Sequence, residues 1–287
     1  MEEEPVPDDA VVEGASDEAA TANEERQYEE RERRERERQK YESQIFASAE
    51  PLLRALFEEY PDASAGKELS RLERQMNNYT AASLAYGEVQ FDSFHRIFTR
   101  LNRLGFSDEF EGKFVDIGSG VGKVVFSAGL FHDFSKLVGI EILSGLHQAS
   151  LEVLESWKLL RRELPQRKRD MEVSLLLGDA LTISWASETD VAFINATCFT
   201  REMLLPIGRE ACRLRPGAFV VITTHKLDKT VDPMLDKYLD LVLSDSMEVS
   251  FGGAVCVSFY RRTKKAALGS IEDVEKYVEE LIGVGAS

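Results

Sequence analysis

A short apolar run that opens into three alternating glycines, at residues 113–123, constrains the fold of this chain more than any other segment. It reads Lys-Phe-Val-Asp-Ile-Gly-Ser-Gly-Val-Gly-Lys. This pattern predicts a buried strand that turns sharply into a helix, with glycines leaving the backbone accessible at the turn. A ligand can lie against the exposed amides, and the helix N-terminus favours negative charge. A dinucleotide-binding fingerprint needs glycine at position 123, where this chain has Lys123, so the spacing disfavours that ligand.

Downstream of the glycines, strand and helix patterns alternate, which predicts an α/β fold with a mostly parallel sheet. Near the C-terminus the period changes, and two strands joined through Gly252-Gly253 predict an antiparallel hairpin. The predicted strands are Phe114–Ile117, Leu137–Ile142, Glu172–Leu177, Val191–Ile194, Phe219–Thr223, Leu239–Leu243 and Ala254–Tyr260, and the crossover helices are Lys123–Leu130, Gly145–Arg162 and Arg201–Leu214.

The N-terminal third has a different composition. Residues 1–23 lack aromatic side chains and predict a disordered acidic tail, whereas residues 24–43 mix Glu and Arg and predict a charged, solvated helix. A partner-binding or nucleic-acid-binding arm is the alternative for that second segment. Residues 44–110 predict a helical cap with Pro51 in a first turn, 111–262 the α/β domain, and 263–287 a final helix over Ile271–Leu281.

Charge and composition narrow the class of protein. The formal charge is −16, of which residues 1–30 carry −11 and residues 41–287 carry −8. Phosphate contacts usually need a basic surface, so strong autonomous nucleic-acid binding is disfavoured. No apolar run reaches the ~18–20 residues of a membrane helix, and an acidic N-terminus does not predict a secretory signal. Three cysteines without metal-ligand spacing predict an intracellular protein with no metal site.

Three acids stand near the ends of predicted parallel strands, where α/β sheets bind their ligands. The carboxylate of Glu141 suits the two hydroxyls of a ribose; the alternative interpretation is a solvated acid at the end of a strand. Asp179 suits an adenine amino group, or is an ordinary turn residue. The carboxylate of Asp116 suits the ammonium group of a ligand; the alternative interpretation is an acid that supports the glycine turn through hydrogen bonds. Three acids and a glycine turn fit a cationic nucleoside better than ATP, because no Gly-Lys-Ser/Thr ending follows.

The Gly-x-Gly-x-Gly turn after an acid resembles S-adenosylmethionine-dependent methyltransferases. Four segments together resemble one family, the disruptor-of-telomeric-silencing proteins, non-SET lysine methyltransferases that act on a core histone within the nucleosome. The similarity spans roughly residues 78–225. The four segments are Tyr86-Gly87-Glu88 with Phe91-Asp92, Val115–Gly122, Gly178-Asp179-Ala180-Leu181 running to Trp185, and Phe193-Ile194-Asn195 with Phe199.

The resemblance implies a Rossmann-like methyltransferase fold with S-adenosyl-L-methionine as cofactor and a role for each matching residue. It implies that Asn195 lies beside the transferring methyl group, with Phe199 near the acceptor channel and Tyr86 in the loop that closes over the cofactor. The full set implied to bind the cofactor is Tyr86, Glu88, Asp116, Gly118, Gly120, Gly122, Glu141, Asp179, Ala180 and Asn195.

It further implies a protein substrate with an acceptor lysine, such as a core histone in a nucleosome, and therefore a nuclear location. Two alternatives stay open. One is a methyltransferase of the same fold that acts on a non-histone protein or a small molecule, with the cytoplasm as its location. The other is a catalytically silent scaffold that binds the cofactor.

Overall fold

The computed structural model describes residues 11–106, 112–249 and 253–263, and a seven-stranded sheet forms its centre. The strand order is β3-β2-β1-β4-β5-β7-β6, with β1 to β5 parallel and β7 antiparallel to both of its neighbours. This confirms the predicted α/β class with an antiparallel C-terminal hairpin. The strands are β1 Lys113–Ile117, β2 Lys136–Glu141, β3 Glu172–Leu177, β4 Thr189–Ile194, β5 Phe219–Thr223, β6 Leu239–Val249 and β7 Gly253–Arg262.

Helices precede the sheet and connect its parallel strands. The strand order reverses at β1, because β2 and β3 extend the sheet to one side and β4 and β5 to the other. Such a reversal opens a crevice at the carboxyl ends of the strands. The helices are α1 Val11–Leu56, α2 Ala63–Met76, α3 Phe91–Arg103, α4 Lys123–Phe131, α5 Ser144–Leu160, α6 Gln166–Asp170, α7 Arg201–Cys212 and α8 Leu235–Tyr238.

The N-terminal segment differs from its prediction. One helix, α1, begins at Val11 and continues to Leu56 with Pro51 inside it, where disorder to residue 23 and a new helix near Gln44 were expected. Pairs such as Arg34–Glu30, with 2.6 Å between Nη2 and Oε1, lie four residues apart and support a solvated helix. The contacts divide the chain into two compact units, residues 1–48 and 49–287. The predicted C-terminal helix lies outside the described residues.

An aromatic core joins α3 to the sheet in the second unit. Phe94 is buried and packs edge-on against Phe193 of β4, with 5.4 Å between ring centroids, and against Phe114 of β1. Such pairs contribute more than their buried area alone. The core therefore fixes β1 and β4, the two strands at the reversal, against the helical cap. No helix in the described part of the chain is long and apolar enough to cross a membrane.

Candidate active site

The glycine turn joins β1 to α4 at the reversal of the strand order. Gly118 and Gly120 both have left-handed backbones, with φ of +75° and +54°, a region that glycine enters without steric cost. A side chain at Gly118 would meet no atom within 4 Å, so this glycine faces open space. The amides of Gly118 and Ser119 donate to the carbonyl of Ile140, at 2.9 and 3.0 Å, which fixes the turn against β2.

Glu141 holds the turn from the end of β2. Its Oε2 accepts from the amide of Gly120 and its Oε1 from the amide of Leu143, both at 2.8 Å. The side chain is buried, which raises the pKa of its carboxyl although these amide bonds oppose the rise. Glu141 is therefore not a solvated strand-end acid. The amide of Ile142 acts on the pKa in the same direction as these amide bonds, and the carboxylate, which can accept about four hydrogen bonds, keeps acceptor capacity for a ligand.

A cavity of about 260 Å³ lies at the carboxyl ends of the parallel strands. It brings together residues that are far apart in the sequence, from the loop before α3 to the segment after β4. The predicted site residues that line it are Tyr86, Gly118, Glu141, Asp179, Ala180, Asn195 and Phe199. A smaller recess of about 20 Å³ adjoins it, and Glu88, Asp116 and Gly120 line this recess. Gly122 lines neither space and instead packs against Phe126 at the start of α4.

Asp179 stabilises its own turn and also lines the large cavity. Its Oδ1 accepts from the amide of Leu181 at 2.9 Å, the bond expected of a turn aspartate. Its side chain also lines the large cavity next to Ala180. One carboxylate thus stabilises the turn and remains available to a ligand, because a carboxylate accepts several hydrogen bonds.

Asp116 is the most deeply buried acid of the site, with 3% of its surface exposed. Among the described residues no hydrogen bond reaches its carboxylate. Burial, followed by the nearby charge of Glu141, raises the pKa of Asp116 well above its ordinary value. Burying a carboxylate without a partner costs stability, and groups perturbed in this way cluster at functional sites.

The segment Tyr86-Gly87-Glu88 is fixed over the recess. The hydroxyl of Tyr86 donates to Oε2 of Glu88 at 2.9 Å, and Nζ of Lys123 contacts Oε1 of the same carboxylate at 2.6 Å. Burial, and then the charge of Glu88, raises the pKa of Tyr86 well above its ordinary value. The phenol of Tyr86 therefore stays protonated, and in this structure it binds Glu88 within its own loop.

Asn195 follows β4 and connects to that loop. Its Nδ2 donates to the carbonyl of Gly87 at 3.1 Å, while its Oδ1 accepts from the hydroxyls of Thr197 and Thr223, each at 2.9 Å. These bonds fix the orientation of the amide. Phe199, Cys198 and Met203 also line the cavity. The lining thus combines the polar amide of Asn195 with the apolar side chains of Phe199 and Met203.

Sequence reasoning missed three contributors to this site. Glu73 of α2 accepts from the amide and hydroxyl of Ser144 and from the amide of Gly145, at 2.7–2.9 Å, and so caps α5. Lys123 pairs with Glu88, and Thr223 orients Asn195. No local pattern marks Glu73 or Thr223, because the role of each depends on a partner more than 25 positions away. Only Lys123 had a signal, as a lysine directly after the glycine turn.

Comparisons with known proteins identify related sequences. The sequence profile of the family described as histone methylation protein DOT1 matches residues 69–237. A histone-lysine N-methyltransferase from Candida albicans, specific for lysine 79 of histone H3, is 26% identical over 193 residues. That alignment covers 63% of this chain but 14% of the relative, so the chain corresponds to a small part of that protein.

Solved structures with a similar fold are more distant. The magnesium protoporphyrin IX methyltransferase of Synechocystis PCC 6803, solved with bound S-adenosylmethionine, has 10% identity and a TM-score of 0.45, over 68% of this chain and 97% of that one. The N-methyltransferase NodS of Bradyrhizobium japonicum has 16% identity and a TM-score of 0.44, over 59% of this chain and 97% of that one.

Proposed function

Because the chain belongs to the family of the histone methylation protein DOT1, we propose that it is an S-adenosyl-L-methionine-dependent methyltransferase that modifies a lysine of a histone. The relative from Candida albicans is specific for lysine 79 of histone H3, and we extend the substrate class, a core histone within a nucleosome, to this chain. A nuclear location is part of the same proposal.

The buried carboxylate of Asp116 is the observation that carries the cofactor assignment. A group with an ammonium and a sulfonium supplies the positive charge that this acid lacks among the described residues. Glu141 would hold the ribose with its remaining acceptor positions, and Asp179 the adenine amino group. Gly118 faces the open space that such a ligand needs. The residues present therefore fit S-adenosylmethionine.

S-adenosylmethionine, when bound, supplies a methyl group on a positively charged sulfur. The residues of this chain would contribute position and water exclusion, which supply much of the acceleration of such transfers. Asn195 would border the reacting atoms, and the apolar wall at Phe199 would enclose the acceptor side chain. A lysine amine must be neutral to react, which costs about 4 kcal/mol from a pKa of ~10.4 at pH ~7.4. An apolar channel lowers that pKa because burial disfavours the charged amine.

Transfer of tritiated methyl groups tests the proposal. We expect label on the histones of nucleosomes incubated with the protein, and none with Gly118→Arg, whose side chain would fill the open space beside the turn. Circular dichroism of the variant should match that of the unchanged protein. Label that appears only in a cell extract would favour a non-histone substrate. Binding of S-adenosylhomocysteine without label on any acceptor would favour a silent scaffold.

A further inference from the structure

Lys123 occupies a costly position next to the proposed cofactor site. It is the first residue of α4, where the helix dipole is positive, and 4% of its surface is exposed. A cation is disfavoured at a helix N-terminus and again by removal from water. A neutral side chain would avoid both costs. The lysine therefore needs an explanation beyond the stability of α4.

Its contacts offset those costs. Nζ lies 2.6 Å from Oε1 of Glu88, and both side chains are almost completely buried. The rings of Phe57 and Phe91 lie 5.8 and 5.6 Å from the same nitrogen, within the range of a cation–π interaction. Glu88 belongs to the loop over the recess, so opening that loop would leave the lysine without its counter-ion. Unpairing a buried charge is strongly unfavourable, and the pair consequently favours the closed loop.

Tyr86 extends this connection to α2 and to the glycine turn. Its hydroxyl donates to the second oxygen of Glu88. Its ring lies between two glycines, since a Cβ atom on Gly66 would lie 2.4 Å from the ring and one on Gly120 would lie 2.6 Å from it. Both glycines provide the space that the ring occupies. The ring of Tyr86 therefore packs against α2 on one side and against the glycine turn on the other, and this fixes the position of the loop.

We propose that Lys123 is a positioning residue that holds the loop Tyr86-Gly87-Glu88 closed over the cofactor site, acting through the carboxylate of Glu88 and the hydroxyl of Tyr86. The inference rests on the proposed function for the identity of the cofactor, but the closure itself concerns only residues of this chain. Lys123 need not contact the substrate for this role. Removing the charged side chain of Lys123 should increase the exposure of the loop and decrease the affinity for the cofactor.

Hydroxyl-radical footprinting of the full chain without ligand tests the closure, because it reports the exposure of individual tyrosine side chains. In Lys123→Met we expect oxidation of Tyr86 to rise at least fivefold relative to Tyr79, which is already 48% exposed. Lys123→Arg keeps the positive charge and should restore protection. Lys136→Met is the matched control, since it removes a 2.6 Å ion pair with Glu172 at the surface, and it should leave Tyr86 protected.

Calorimetric titration with S-adenosylhomocysteine tests the coupling to the site. We expect the dissociation constant to rise at least tenfold in Lys123→Met and in Glu88→Gln, and no further in the double variant, because both changes disrupt one connection. If Lys123→Met does not fold, Glu88→Gln tests the same pair from the loop side. Unchanged oxidation of Tyr86 in the folded variants, or additive losses of affinity, would overturn the proposal.

The two measurements separate this inference from the proposed function. One outcome is that Tyr86 is exposed in Lys123→Met but protected in Lys123→Arg, while the protein does not bind S-adenosylhomocysteine. This outcome would support the closure and reject the cofactor. Tight binding with Tyr86 equally protected in every variant would support the cofactor and reject the closure.

Discussion

Replacing the two left-handed glycines of the turn with alanine should have unequal effects on stability, because only one of them contacts another side chain. Gly118→Ala places its Cβ in open space, whereas Gly120→Ala places its Cβ 2.6 Å from the ring of Tyr86. Both variants carry the cost of a left-handed alanine, about 1–2 kcal/mol. The gain from a less flexible unfolded chain is common to both and cancels in the difference.

The extra contact sets the magnitude of that difference. Forcing a methyl group into packed surroundings costs about 1–3 kcal/mol. We therefore expect Gly120→Ala to lower the free energy of unfolding by about 1–3 kcal/mol more than Gly118→Ala does. Urea denaturation at one pH and temperature measures both values, and the midpoint shift is interpretable if the slope is unchanged.

The variant Tyr86→Ala tests whether the ring of Tyr86 causes this difference. In Tyr86→Ala the space beside Gly120 is empty, so the excess cost of Gly120→Ala should disappear there. Equal destabilisation by the two alanines, or an excess that persists without the tyrosine, would refute the packing argument. Gly118→Ala should instead weaken the binding of S-adenosylhomocysteine, since its methyl group points into the space where a ligand would lie.

Three further outcomes follow from burial and charge. Asp116→Asn should raise the free energy of unfolding at pH 7.5 and raise it less at pH 5. The reason is that the folded pKa of this carboxyl exceeds its ordinary value of 3.8, so the carboxyl makes the folded protein less stable as the pH rises from the ordinary to the folded pKa. A decrease measured by urea unfolding at pH 7.5 would contradict this. Glu210→Ala should cost about 3 kcal/mol, since its buried carboxylate accepts from two backbone amides and a hydroxyl, and the same assay measures it. Burial raises the pKa of Cys212 to about 12, so a thiol reagent should label Cys198 and Cys256 in the native protein and Cys212 only after unfolding.

The sheet was predictable because its strands are short buried runs between clear breaks. The bounds of β3 and β5 match the prediction, and β4 begins two residues early, at Thr189. The glycine turn and the strand-end acids followed from the same pattern, since the carboxyl ends of parallel strands meet at one edge. Local sequence thus determines both the strands and the residues directly attached to them.

The cap was less predictable because its contacts are long-range. The apolar side chains of Leu72 and Met76 in α2 are exposed, and the helix instead buries Gly66, Ser70 and Glu73. Gly66 gives room to Tyr86, and Glu73 caps α5. Periodicity cannot reveal a helix face chosen by a partner ring and a distant helix terminus. For α1, charge pairs four residues apart predicted the helix over 24–43, but the acidic composition of residues 1–23 and the proline at position 51 did not indicate that this helix continues in both directions.

Three residues at the proposed cofactor site occupy positions that carry a cost in stability. Asp116 is buried without a hydrogen bond from the described residues, Gly118 is left-handed beside open space, and Lys123 begins a helix as a buried cation. Costs of this kind persist where function requires them. Neutralising an acid that only supported the turn would destabilise the protein. Neutralising an acid that is kept for a cationic ligand would instead stabilise it. A more stable Asp116→Asn that no longer binds S-adenosylhomocysteine would therefore assign this carboxylate to ligand binding, whatever acceptor the protein methylates.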